Sequence, residues 1–124
     1  MLAEAKVYVV DDDDAVRDSL KLLLESYGLT VETFDSIGTF LRSFRPNARA
    51  SCLVLDQHLP GTTGLDFLGS PEGRRLDIPV ILVTGRGDAV LRARAFDAGA
   101  IAYFEKPVDD GALVSAIERA LSGG

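Results

Sequence analysis

This sequence predicts an α/β fold in which a parallel sheet is wound by helices on both faces, and three observations carry that reading. Val7–Val10, Cys52–Leu55 and Val80–Val83 are each four apolar residues without interruption, as strands covered on both sides require. Between such runs, apolar residues recur every three or four positions, the period of amphipathic helices. Strand and helix patterns alternate five times, which implies right-handed crossovers between parallel strands. The 124 residues suffice for one domain with its own core. No repeat, low-complexity tract or long linker divides them, so residues 1–124 are read as a single unit with a frayed Ser122-Gly123-Gly124 end.

Each element has a local reason. The segments Thr30–Phe34 and Ala102–Glu105 also have strand character, but each carries a glutamate and so fits a sheet edge. Val16, Leu20, Leu23, Leu24 and Tyr27 fall at helical spacing and predict one buried stripe. Asp13 and Asp14 sit at the start of that helix, where acids suit the dipole, and Gly28 marks its end. Ile37, Phe40, Leu41 and Phe44 repeat the pattern behind the capping candidate Ser36. A shorter helix begins near Gly64 with Leu65 and Leu68 inward. Two more cover Asp88 to Ala98 and Asp109 to Leu121, the latter with Leu113, Ile117 and Leu121 facing in. Three apolar central strands between two amphipathic edges give a flavodoxin-like doubly wound (βα)5 order, 2-1-3-4-5, whose ligands bind beyond the carboxyl ends of the strands.

Composition narrows the function. The net charge of −6 repels phosphate backbones, which argues against nucleic-acid binding by this domain. The longest apolar run is the five residues Ala100–Phe104, so no segment spans a membrane, and the acidic start is not a secretory signal. One Cys and one His exclude an internal disulfide and a multi-His or multi-Cys zinc site; a cytoplasmic location is the simplest expectation. Cys52 reads as a buried small hydrophobe.

The chemistry gathers just past the strands. Asp11 and Asp12 follow the first, Asp56 follows the third, Thr84 ends the fourth and Lys106 follows the fifth. The predicted topology brings all of them to one end of the sheet. Two like charges ~4 Å apart repel by about 4 kcal/mol at an effective dielectric near 20, so three carboxylates there call for protons or a cation. An oxygen-only ligand set suits Mg²⁺. With the metal present, one carboxylate can act as a nucleophile toward a phosphoryl group, while Lys106 and Thr84 address its oxygens.

At this point the chain resembles the receiver domain of bacterial two-component response regulators, over essentially its whole length. The strings that carry the resemblance are VYVVDDDD (7–14), LVLDQHLPGTTG (53–64), VILVTGRGD (80–88) and AGAIAYFEKP (98–107). The resemblance implies that Asp56 accepts a phosphoryl group from a sensor histidine kinase or phosphotransfer protein. It implies that Asp12 coordinates Mg²⁺ directly, Asp11 acts mainly through a metal-bound water, and the backbone carbonyl of His58 completes the protein ligands. Thr84 and Lys106 would bind the phosphoryl oxygens. Tyr103 matches the aromatic switch position, coupled to Thr84, and Lys106-Pro107 matches a bond that is usually cis. The face made by the fourth helix, fifth strand and fifth helix would then switch toward an output domain or protein partner, with transcription as the expected output and pairing with a second copy on phosphorylation as a further expectation. His58 and Arg86 occupy positions that, in this family, influence how fast the acyl phosphate hydrolyses. A rival reading, a haloacid-dehalogenase-type phosphatase with Asp11 as nucleophile, leaves Asp56 unexplained and lacks the acidic motif expected after the lysine. The chain is read either as a stand-alone regulator or as the N-terminal module of a longer one.

Overall fold

The computed structural model of the chain describes residues 5–45 and 50–123; the chain start and Gly124 lie outside them. Five strands form one parallel sheet: β1 (Lys6–Val10), β2 (Thr30–Phe34), β3 (Ser51–Asp56), β4 (Val80–Thr84) and β5 (Ala102–Glu105). Their spatial order is β2-β1-β3-β4-β5, as the alternation predicts. Helices α1 (Asp14–Ser26), α2 (Ile37–Ser43), α3 (Gly64–Gly69), α4 (Ala89–Asp97) and α5 (Asp110–Leu121) connect or follow the strands.

The uninterrupted apolar runs resolve into two cores by the twofold period of a strand. Val7, Val9, Cys52, Val54, Ile81 and Val83 pack with Leu24 of α1 and with Leu113, Ile117 and Leu121 of α5. Their neighbours Tyr8, Val10, Leu53, Leu55 and Leu82 pack on the other face with Ile37, Phe40, Phe67, Leu68 and Ala95. Tyr8 meets Phe40 and Phe44 edge to face, both at 5.4 Å between ring centroids, which fastens α2 to β1. Cys52 is fully buried, and burial pushes its thiol up to about 12, so it serves as packing.

Caps fall where the sequence puts them. Asp13 accepts from the Ala15 and Val16 amides, Ser36 from Thr39, Asp88 from Leu91 and Asp109 from Ala112. Gly28 takes a φ of +84° just beyond α1, the left-handed turn that glycine permits. Three features differ from expectation. Tyr27 is the C-cap of α1 and 53% exposed: the helix ends at Ser26, and the departing backbone turns the ring out of the stripe. A second short helix, Pro71–Arg75, follows α3 behind the Ser70 cap. Between β3 and α3, His58–Leu59 pairs antiparallel with Thr62–Thr63.

That small ladder is shut against the end of β3. The Gly64 amide donates to the Gln57 carbonyl at 3.0 Å, and the buried Gln57 side chain accepts from the Leu65 amide at 2.8 Å. A Cβ on Gly64 would lie 2.5 Å from the Asp56 carbonyl oxygen and 2.8 Å from Leu82. Because backbone cannot step aside as a side-chain tip can, Gly64→Ala is expected to lower stability by about 2 kcal/mol. A urea-unfolding midpoint matching that of the unsubstituted protein would refute this close packing.

Candidate functional site

Backbone pairing assembles the site. Val10 lies opposite Leu55 and Asp56 opposite Val83, which brings Asp11, one residue past β1, beside Asp56. Ladder-type hydrogen bonds continue beyond the strands. The Asp11 amide donates to the Phe34 carbonyl (3.1 Å), Gln57 to Val83 (2.8 Å) and Lys106 to Thr84 (2.8 Å). The loops that carry the functional side chains are thus extensions of the sheet, held by its register.

The four charged groups predicted to converge do so. Ligand oxygens of Asp11, Asp12 and Asp56 all lie within 4.8 Å of one another. Lys106 Nζ donates to Asp11 Oδ2 at 3.0 Å and stands 3.3 Å from Asp56 Oδ1. Asp11 and Asp56 are each only 3% exposed, whereas Asp12 is exposed. Arg17, which sequence reasoning passed over, donates to the Asp11 carbonyl at 2.6 Å and also pairs with Asp14. It anchors the acidic loop to α1 and sets a positive charge beside it. Its place one turn into α1 is a signal the sequence offers only once the loop's path is known.

Electrostatics follow from burial and crowding. Removal from water pushes the Asp56 carboxyl above its ordinary range; Asp11 pushes the same way, Asp12 adds to it, and Lys106 opposes without prevailing. Burial alone would lower the Lys106 ammonium, but its hydrogen bond to Asp11 and the charges of Asp56 and Asp11 outweigh that, and its pKa is raised. The buried Asp56 Oδ1 lacks a well-aligned hydrogen bond; Lys106, 3.3 Å away, is its countercharge. Asp11, Asp56 and Lys106 also border a groove of about 340 Å³ whose remaining wall includes Val16, Leu20, Val108 and Leu113.

Thr84 is fully buried at the end of β4. Its hydroxyl accepts from the Arg86 amide at 3.1 Å and lies 3.4 Å from His58 Nε2. His58 is exposed and shares an opening with Asp12. Tyr103, on edge strand β5, directs its hydroxyl to Glu105 Oε2 at 3.4 Å. Partial burial raises the phenol's pKa, and the Glu105 carboxylate raises it further. The Lys106–Pro107 peptide is cis.

Comparisons with known proteins agree with this geometry. Residues 7–118 match the response regulator receiver domain family. The chain is 44% identical over 115 residues to the transcriptional regulatory protein FixJ of Azorhizobium caulinodans, covering 93% of this chain and 54% of that one. It is 37% identical over 121 residues to FixJ of Bradyrhizobium diazoefficiens, covering 98% and 58%. The chain therefore spans little more than half the length of these relatives. Among solved structures, the response regulator StyR superposes with a TM-score of 0.85 at 42% identity, over 96% of this chain and 60% of StyR. Full-length FixJ from B. japonicum gives 0.82 at 37%, over 94% and 57%. With sheet order, acidic cluster and family match in agreement, this chain belongs to the receiver-domain family of two-component response regulators.

Proposed function

We propose that the domain accepts a phosphoryl group on Asp56 from a phosphohistidine of a sensor kinase or phosphotransfer protein, and that this event changes the partner preference of its α4–β5–α5 face. The observation that carries the proposal is the buried Asp56 Oδ1, without a well-aligned hydrogen bond and within reach of a lysine. Such an oxygen is a desolvated nucleophile with an adjacent countercharge. The rival reading with Asp11 as nucleophile uses an oxygen set already held by Lys106 and gives Asp56 no task.

The donor set fits a magnesium ion. Three carboxylates with oxygens within 4.8 Å are hard ligands, and an orphaned acceptor among them suits a cation. Asp11, Asp12 and Asp56, with the His58 carbonyl, would hold it. When bound, Mg²⁺ neutralises phosphoryl charge and relieves repulsion among the carboxylates. The remaining work belongs to the chain. A carboxylate oxygen of Asp56 attacks phosphorus in line; the P–O bond forms as the P–N bond to imidazole breaks, leaving an acyl phosphate. Lys106 stabilises charge on the transferring oxygens. The Thr84 hydroxyl, now shared with the Arg86 amide and His58, turns to the new phosphoryl oxygen. The ring of Tyr103 follows into the space that Thr84 leaves, a two-state element biased by a local charge. His58 Nε2, at 3.4 Å from the Thr84 hydroxyl, competes for the same group.

Exposed Val90 and Phe96 on α4 support a protein partner at the switching face. The FixJ relatives are named transcriptional regulators and extend well beyond the matched region, which supports a transcriptional output domain. A receiver-domain dimer is described for beryllofluoride-activated NtrC4; pairing of two copies on phosphorylation is proposed here by that analogy.

Intact mass is the direct assay. With acetyl phosphate and Mg²⁺, the wild-type domain should gain about 80 Da, one phosphoryl group; Asp56→Asn, or excess EDTA, should abolish the gain, and Lys106→Ala should slow it about a hundredfold. Undiminished labelling of Asp56→Asn would exclude Asp56 as the acceptor. Stability gives a second check. Because folding raises the Asp56 pKa, the native state binds more protons than the unfolded chain, so metal-free stability from this group increases as pH falls from neutral toward the ordinary aspartate range. Asp56→Asn, which mimics the neutral acid, should therefore raise the Tm of the metal-free fold at pH 7. A lower Tm for that variant would contradict the electrostatic account.

A further inference from the structure

Gly87 stands in the loop between Thr84 and α4, and nothing about its own backbone calls for glycine. Its φ lies outside the left-handed region, unlike those of Gly28, Gly61 and Gly99. What excludes a side chain is the opposite strand. A Cβ at this position would sit 1.9 Å from Tyr103 Oη, 2.5 Å from Glu105 Oε2 and 2.7 Å from Glu105 Cδ. The Tyr103 hydroxyl therefore occupies the volume that any other residue at 87 would fill, with Glu105 as acceptor and second wall.

We infer that Gly87 is a positioning residue: its missing side chain is the seat of the Tyr103 hydroxyl, and through that seat β5 is latched to the loop that follows Thr84. Both colliding groups are tips of flexible side chains, so alanine at 87 would be accommodated by evicting them and not by unfolding the loop. The consequence for switching rests on the function proposed above; the seat itself does not. When Thr84 draws the 84–88 loop toward a phosphoryl group, the floor of the seat moves, and Tyr103 loses its place at Glu105. Residue 87 thus sets how strongly the unphosphorylated state holds the ring.

Fluorine NMR of protein labelled with 3-fluorotyrosine tests this, because the chain has three tyrosines, assignable by single Tyr→Phe variants. Without phosphodonor, Gly87→Ala should shift the Tyr103 resonance while Tyr8 and Tyr27 hold theirs, which also reports an intact fold. Gly85→Ala, whose added Cβ would meet nothing within 4 Å, should leave all three in place. A Tyr103 resonance unmoved by Gly87→Ala, or moved as far by Gly85→Ala, overturns the seat. Urea midpoints supply a second reading: Gly87→Ala should cost more stability beside Tyr103 than in a Tyr103→Ala background, where only the Glu105 tip is left to be displaced, and equal costs in both overturn it. Acetyl phosphate with Mg²⁺ is then added, with mass gain followed in parallel. The wild-type Tyr103 resonance should move on phosphorylation, and that of Gly87→Ala should move less. Absence of mass gain in the wild type would defeat the proposed function while leaving the seat to be judged on the first two arms.

Discussion

Two buried carboxylates and an exposed third, forced together at the end of a sheet, set the terms for the rest of this molecule. Asp11 and Asp56 cannot move apart, because Asp11 directly follows, and Asp56 ends, a central strand whose register is fixed by apolar packing on both faces. Nor can they be hydrated freely at 3% exposure. Such a cluster costs folding energy unless it is compensated. The compensation present in the chain is partial: Lys106 bonds to Asp11 and leaves Asp56 Oδ1 without a donor. On the proposed function, that shortfall is what a cation and, after it, a phosphoryl group would relieve.

The same ladder that fixes the acids also fixes their reporters. Lys106 is tied through its amide to the Thr84 carbonyl, so the strand pair that offers the ammonium also carries the hydroxyl. Tyr103 lies three residues before Lys106 on that edge strand and touches the loop beyond Thr84. Lys106, Thr84 and Tyr103 thus stand between Asp56 and the surface of β5, and the proposed switching would run through them.

Much of this was legible in the sequence, for reasons that can be named. The runs Val7–Val10, Cys52–Leu55 and Val80–Val83 read as strands covered on both faces, and once those were central, the order of the sheet and the meeting of Asp11, Asp12, Asp56 and Lys106 followed from topology, with Thr84 at the end of the neighbouring strand. Tyr27 was misplaced because helical periodicity carries no information about where the helix stops; Gly28 held that information and outweighs the pattern. The Pro71–Arg75 helix had a readable start in Ser70-Pro71, but five residues are too few for a period to show. Arg17 and Gly87 were invisible for a different reason. Their roles depend on a backbone carbonyl and on an unfilled volume, neither of which leaves a trace in residue type.

The central claim, that Asp56 is a carboxylate held against its own preference, is tested most directly by following its side-chain carboxyl carbon through a pH titration by NMR in the metal-free protein and again with Mg²⁺. The account predicts a metal-free midpoint above the ordinary aspartate value of about 3.9 and a downward displacement when Mg²⁺ is added. A metal-free midpoint at or below that ordinary value, unchanged by Mg²⁺, would contradict it.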